Sequence, residues 1–203
     1  MASIKASLAA SATLVTALLA APAATAVEPA PVDVSPTCAV GVEPVDLSEG
    51  DAALAQVPEP VIDCFPTFGA AIEFVTDGEV AAESPAELER VAAASADGTV
   101  STAASVVLGY EYKNTGYSGG SLVLYGSSGS GCGRSTTYGF SSMPAGWNNV
   151  ISSARSFAGC WSTHYNLTGY GGSRMTCQGA CSALGSMNNR TSSIVFRPIG
   201  TYG

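Results

Sequence analysis

Three sets of residues in this 203-residue chain could do chemistry: six cysteines, a lone histidine with one acid in the same half of the chain, and two runs of paired asparagines and serines. The cysteines are even in number, and outside the cytoplasm they should pair. Cys38 and Cys64 lie early; Cys132, Cys160, Cys177 and Cys181 lie late. Pairing within each region gives Cys38–Cys64, with Cys132–Cys160 and a tight Cys177–Cys181 loop expected for the rest, among the fifteen connectivities that six cysteines allow.

The histidine, His164, sits between Thr163 and Tyr165 in a strand-like run, and the one acid after Val106 is Glu111. A Ser–His–acid arrangement needs all three groups in reach, and no Asp is present in this stretch to orient the imidazole. Paired carboxylates for glycoside chemistry are missing there too. Zinc spacing, a P-loop and a dinucleotide fingerprint are not found, and Gly169-Tyr170-Gly171-Gly172-Ser173 does not run from a strand into a helix. These residues predict a protein that is not an enzyme, with His164 structural.

The asparagine and serine runs are Asn148-Asn149-Val150-Ile151-Ser152-Ser153 and Asn188-Asn189-Arg190-Thr191-Ser192-Ser193. Such runs suit tight loops, because Asn and Ser side chains hydrogen-bond nearby backbone. Each follows an aromatic-x4-aromatic-x-Gly element, Tyr112 to Gly119 and Tyr165 to Gly172. That element suits a folded hairpin, with the aromatics packed together and the Gly free to take positive φ. A hairpin with a returning strand, made twice, gives two Greek keys.

The elements that position these residues are set out along the chain. Lys5, an apolar run from Leu8 to Ala20 and the small-x-small site Ala24-Thr25-Ala26 predict a signal peptide over residues 1–26 and a secreted, extracellular product. No later stretch is long and apolar enough to cross a membrane. Residues 27–105 carry fifteen Asp and Glu against Arg90, a net of −14, whereas residues 106–203 carry +5. Such a contrast bears on partners rather than on fold. The acidic region begins extended and rich in Pro. Thr67 then caps a short helix over Phe68–Val75 that Asp77-Gly78 ends, and Ser84-Pro85-Ala86-Glu87 opens a second to about Ala94. Ser95 to Ser105 reads as a small-residue linker. Beyond it, Val106–Leu108, Ser121–Tyr125, Thr136–Tyr138, Ile151–Phe157, Cys160–Tyr165 and Ser193–Phe196 read as strands.

The two motifs, in this order and twice over, resemble the βγ-crystallin superfamily across Val106 to Pro198. The resemblance implies an all-β sandwich of two Greek keys over 106–203, preceded by an acidic pro-segment or accessory region with short helices over 27–105. It also implies calcium sites at Asn148, Asn149, Val150 and Ser152 and at Asn188, Asn189, Arg190 and Ser192. Each would use an Asn side chain, the carbonyl after the Asn pair, a Ser hydroxyl from the other motif and a hairpin carbonyl. With no Asp in either loop, binding is expected to be weak, about 10⁻⁴–10⁻³ M or worse, since affinity falls with ligand charge.

Within the superfamily the chain looks most like secreted actinobacterial metalloproteinase inhibitors and killer-toxin-like proteins. The first likeness makes Cys177, Gln178, Gly179, Ala180 and Cys181 an inhibitor loop for a secreted protease, with the bond after Cys177 exposed. The loop is one residue shorter than that family implies, and Gln178 stands where thermolysin-like proteases favour a large apolar side chain. The second likeness makes the domain a basic effector, masked by the acidic region and aimed at an anionic envelope component. A structural, calcium-stabilised extracellular module is the third expectation. Export argues against a nucleic-acid partner, and a monomer is expected.

Overall fold

The computed structural model describes residues 36–46, 54, 60–95, 100, 102, 105–128, 131–133 and 136–203. The expected signal peptide lies outside the described residues. Before residue 100 come strands β1 (Thr37–Val42), β2 (Val45–Asp46) and β3 (Ile62–Phe65) and helices α1 (Phe68–Val75) and α2 (Pro85–Ala94). After it come β4 (Val106–Asn114), β5 (Ser118–Gly126), β6 (Thr136–Phe140), β7 (Ser153–Ser156), β8 (Cys160–Tyr165), β9 (Arg174–Cys177), β10 (Ala180–Cys181) and β11 (Ser193–Pro198).

The strands form two sheets, one ordered β10-β7-β4-β5-β1-β3 and the other β2-β6-β11-β8-β9. β4 to β7 make one Greek key and β8 to β11 the second. Each key sends its third strand to the other sheet: β6 pairs with β11, and β10 pairs with β7. Neither key can bury its own apolar face alone, so the exchange makes one shared core. Leu108, Leu122, Leu124, Phe140, Trp147, Ile151, Ile194 and Phe196 fill it. The all-β, two-Greek-key expectation is met over Val106–Pro198.

A bulge in β4 decides what enters that core. The register against β5 shifts between Val107 and Gly109, which resets the two-residue alternation of side chains. Val106 and Leu108 face the core, and so does Glu111, which lies opposite Leu122 and Ala154. Val107, Tyr110 and Tyr112 face outward.

The expected disulfides are the ones formed: Cys38–Cys64, Cys132–Cys160 and Cys177–Cys181. The last ties β9 of one sheet to β10 of the other. Both helices start where their caps predict. Thr67 Oγ1 accepts the Ala70 N–H at 3.1 Å, and Ser84 Oγ accepts the Glu87 N–H at 3.3 Å. The Glu87 carboxylate accepts from the Glu83 N–H at 2.7 Å rather than from Ser84, closing the capping box one residue early. Gly78, at φ 74°, donates its N–H to Glu73 O and stops α1.

The acidic region differs most from the sequence reading, which predicts no strand before Val106. β1 pairs parallel with β5, Cys38 opposite Leu122 through Val42 opposite Gly126, and β3 pairs with β1. Thr37-Cys38-Ala39-Val40 is buried on both faces, so it lacks the alternation that marks a half-exposed strand. β9 and β10 also escape the sequence reading, being four and two residues long within a Gly- and Ser-rich run.

α1 and α2 lay Phe68, Ala71, Ile72, Val75, Leu88 and Ala92 on the outer face of the six-stranded sheet, against Val107, Tyr110, Tyr112 and Val123. Ile72 is fully buried there. Ile72→Ala is expected to destabilise the chain by about 2–5 kcal/mol, as cavity-forming substitutions do. Urea unfolding of the intact, oxidised chain measures this, and a loss under about 0.5 kcal/mol, the range of surface substitutions, would show the helices to be loosely applied.

Candidate functional site

The two Asn-Asn-x-x-Ser-Ser loops sit side by side and are cross-linked by backbone. Asn149 N–H donates to Thr191 O at 2.9 Å, and Asn189 N–H donates to Ile151 O at 2.8 Å. Asn149 and Asn189 both take left-handed backbone, φ 59° and 55°, which asparagine tolerates better than most residues. That conformation turns the side chains toward the opposite loop. Ser152 Oγ donates to Asn189 Oδ1 at 3.1 Å, and Ser192 Oγ donates to Asn149 Oδ1 at 3.2 Å. Each asparagine is thus met by the serine of the other motif.

The hairpins close onto these loops in the same symmetric way. Ser153 Oγ donates to Asn114 O at 2.6 Å and accepts the Tyr117 N–H at 3.1 Å. Ser193 Oγ donates to Leu167 O at 2.7 Å and accepts the Tyr170 N–H at 3.0 Å. The paired aromatics meet edge to face, Tyr112 with Tyr117 at 6.0 Å and Tyr165 with Tyr170 at 6.1 Å. Gly119 and Gly172 both have φ 78°, and a Cβ at either would run into the hairpin's own Asn114 or Asn166.

Of the eight residues expected to serve calcium, four come together as two pairs: Asn149 with Ser192 and Asn189 with Ser152. Asn148, Asn188 and Arg190 are exposed, and Val150 is half-buried. The Asn166 carbonyl accepts a second, 3.3 Å contact from Ser192 Oγ, adding a hairpin oxygen beside Asn149. Two oxygens 3.2 Å apart can both meet one ion at the usual calcium–oxygen distance of about 2.3–2.6 Å. The donors are all neutral oxygens. Among the described residues, no three of His, Cys, Asp and Glu gather anywhere as a metal group. The set fits a hard cation, and it fits one bound weakly.

The expected inhibitor loop joins β9 to β10. Gln178 and Ala180 are exposed, and Gln178 Nε2 donates to Tyr202 Oη at 3.2 Å. The rest of the loop is bound into the sheet. Gly179 O accepts the Ser156 N–H at 2.7 Å, and Ala180 and Cys181 pair with Arg155 and Ala154.

Sequence reasoning missed one pairing. Glu111 and His164 occupy equivalent places in the two motifs, each directly before the first aromatic. Both are wholly buried, and they meet in the core, with Glu111 Oε1 3.9 Å from His164 Nε2. Ser162 Oγ lies 3.2 Å from the same nitrogen, and Thr191 Oγ1 lies 3.4 Å from Nδ1. The signal was the repeat itself: aligning the tyrosines aligns these two residues. At zero exposure neither can meet a substrate, which gives the pair a structural place.

Two keys that exchange their third strands, each opened by a folded hairpin and closed by an Asn-Asn-x-x-Ser-Ser loop, define a βγ-crystallin-like sandwich. Solved structures similar to part of the chain include βγ-crystallin domains. A βγ-crystallin domain from Flavobacterium johnsoniae is 25% identical, covering 47% of this chain and 99% of that one, with a TM-score of 0.34. The N-terminal domain of Protein S is 22% identical over 47% of this chain and all of that one, with a TM-score of 0.35. A βγ-crystallin from an archaeon is 21% identical over 46% and 98%, with a TM-score of 0.32. No family model matches the chain, and no curated protein matches it.

Burial pushes the Glu111 carboxyl well above its ordinary pKa and holds His164 down at about 3. Folded Glu111 therefore keeps a proton that the unfolded chain has lost above about pH 4.3, and its contribution to stability falls as pH rises beyond that point. His164 works the other way, gaining stability as pH rises from about 3 to the unfolded imidazole value near 6.5. Above about pH 4.3, for as long as buried Glu111 keeps its proton, its slope opposes that of His164. Glu111→Gln removes the first of these slopes. The variant is expected to gain on the parent as pH rises from about 4.5 toward about 6.5. Urea unfolding of both proteins at several pH values reads the difference, and a constant gap would contradict the buried, protonated Glu111.

Proposed function

We propose that this protein is an exported, non-enzymatic βγ-crystallin-like module that binds calcium weakly at its paired loops. The reciprocal contact of Ser152 with Asn189 and Ser192 with Asn149 carries the reading. It sets a side-chain amide oxygen and a hydroxyl from different motifs at one point, twice. A cation at either point would bridge the two Greek keys, so binding would stabilise the fold rather than start a reaction. With neutral ligands the dissociation constant belongs at about 10⁻⁴–10⁻³ M, the range of extracellular modules, or worse. Thermal unfolding in rising calcium tests this. The midpoint is expected to climb only at millimolar calcium, and Asn149→Ala with Asn189→Ala is expected to remove the climb. No shift at about 10 mM, well above that range, would sink the reading.

A second reading, inhibition of a secreted metalloprotease, rests on exposed Gln178 in the loop closed by Cys177–Cys181. A short cross-linked loop is pre-organised, which lowers the ordering cost of docking and retains the chain after a slow cut. Excess folded protein is then expected to slow a thermolysin-class protease, and to lose that effect with Gln178→Pro. Unchanged protease activity in the presence of the folded parent would dispose of it.

A further inference from the structure

The acidic region invites an electrostatic account, a negative segment lying on a positive domain. The contacts follow a different pattern. Asp63, Glu73, Asp77, Glu79 and Glu83 are exposed. Among the described residues, one ion pair joins this region to the β domain: Arg155 Nε stands 3.0 Å from Glu89 Oε1, an oxygen that also accepts the Tyr110 hydroxyl at 2.6 Å.

Among the described residues, the other contacts that hold the region are backbone pairing, hydrogen bonds to neutral donors and apolar packing. β1 extends the six-stranded sheet from β5, and β2 extends the other from β6. Thr37 Oγ1 and Ser121 Oγ lie 2.9 Å apart, Ser127 N–H donates to Val42 O at 2.9 Å, and Glu43 accepts from the Ser127 and Ser128 hydroxyls at 2.6 and 2.8 Å. The helices cover the outer face around Tyr110 and Tyr112, while Leu54 packs on Tyr165 and Val195 at the outer face of the second sheet. All three disulfides lie within one side or the other of Val100, so none links the region to the β domain.

We propose that residues 36–46 and 60–95 are a β-clasp, supplied by the chain to its own domain, and that a cut between Ser95 and Val100 leaves the two pieces bound. Sheet pairing and apolar burial do not depend on ionic strength as an exposed charge contact does. The interface is therefore insensitive to salt. A partner that frees the β domain must present its own extended apolar strand to β5, with apolar side chains for the face around Tyr110. Charge alone does not displace the clasp.

The test uses the full secreted chain with a specific protease site replacing Ala96-Asp97-Gly98-Thr99, cut after folding and kept oxidised. Size-exclusion chromatography is run at low salt and in about 1 M sodium chloride, where the screening length is about 3 Å. The pieces are expected to co-elute in both, and Glu89→Gln is expected to leave that unchanged. Separation in high salt alone, or only with Glu89→Gln, would overturn the clasp in favour of an electrostatic mask. Separation or precipitation of the β piece at low salt would overturn it outright.

Discussion

Each folded hairpin is held shut by one serine hydroxyl, and the sandwich depends on that bridge. Ser153 spans Asn114 O and Tyr117 N–H; Ser193 spans Leu167 O and Tyr170 N–H. These are backbone groups at a sharp reversal of the chain, where the serine adds a donor and an acceptor of its own. Because each serine opens the last strand of its own key, the bridge fixes where that strand lies beside the first. The residue before it, Ser152 or Ser192, is then carried toward the other motif's asparagine. One local constraint, used twice, thus sets both the hairpin and the cross-motif contact. It also explains why the two keys form a single unit, since each lends the other a strand as well as a hydroxyl.

The bulge in β4 is the second constraint. Without the reset between Val107 and Gly109, Tyr110 and Tyr112 would alternate into the core and Glu111 would face outward. With it, the aromatics line an outer face that the helices cover, and the domain's one acid faces its one histidine. The bulge therefore couples the interior of the sandwich to the layer added outside it.

Much of the fold was legible because it is written locally. Thr67 and Ser84 cap helices through hydrogen bonds three residues away, and the tyrosine and asparagine motifs mark hairpins and loops through their own backbone needs. What escaped is written between distant segments. The parallel pairing of Thr37–Val42 with β5 leaves no period in the sequence, because both faces of that strand are covered. The approach of Glu111 to His164 follows from the bulge and from the pseudo-symmetry, neither of which a strand-by-strand reading weighs. At the loops, residue types announced oxygen donors and the resemblance set each asparagine against the other motif's serine, but the choice of Asn149 and Asn189 over Asn148 and Asn188 needed the three-dimensional pairing.

The central claim is that the paired loops, rather than the acidic helices, form the cation site. The chain carries sixteen acids, fifteen of them in residues 27–105, so bulk calcium uptake alone would not separate the two. Amide resonances of the ¹⁵N-labelled, oxidised protein in a calcium titration would. The account predicts that Asn149, Ser152, Asn189 and Ser192 shift together, in parallel with the hairpin amides of Tyr117 and Tyr170. Shifts confined to the acidic surface of α1 and α2, with the loop amides unmoved, would contradict it.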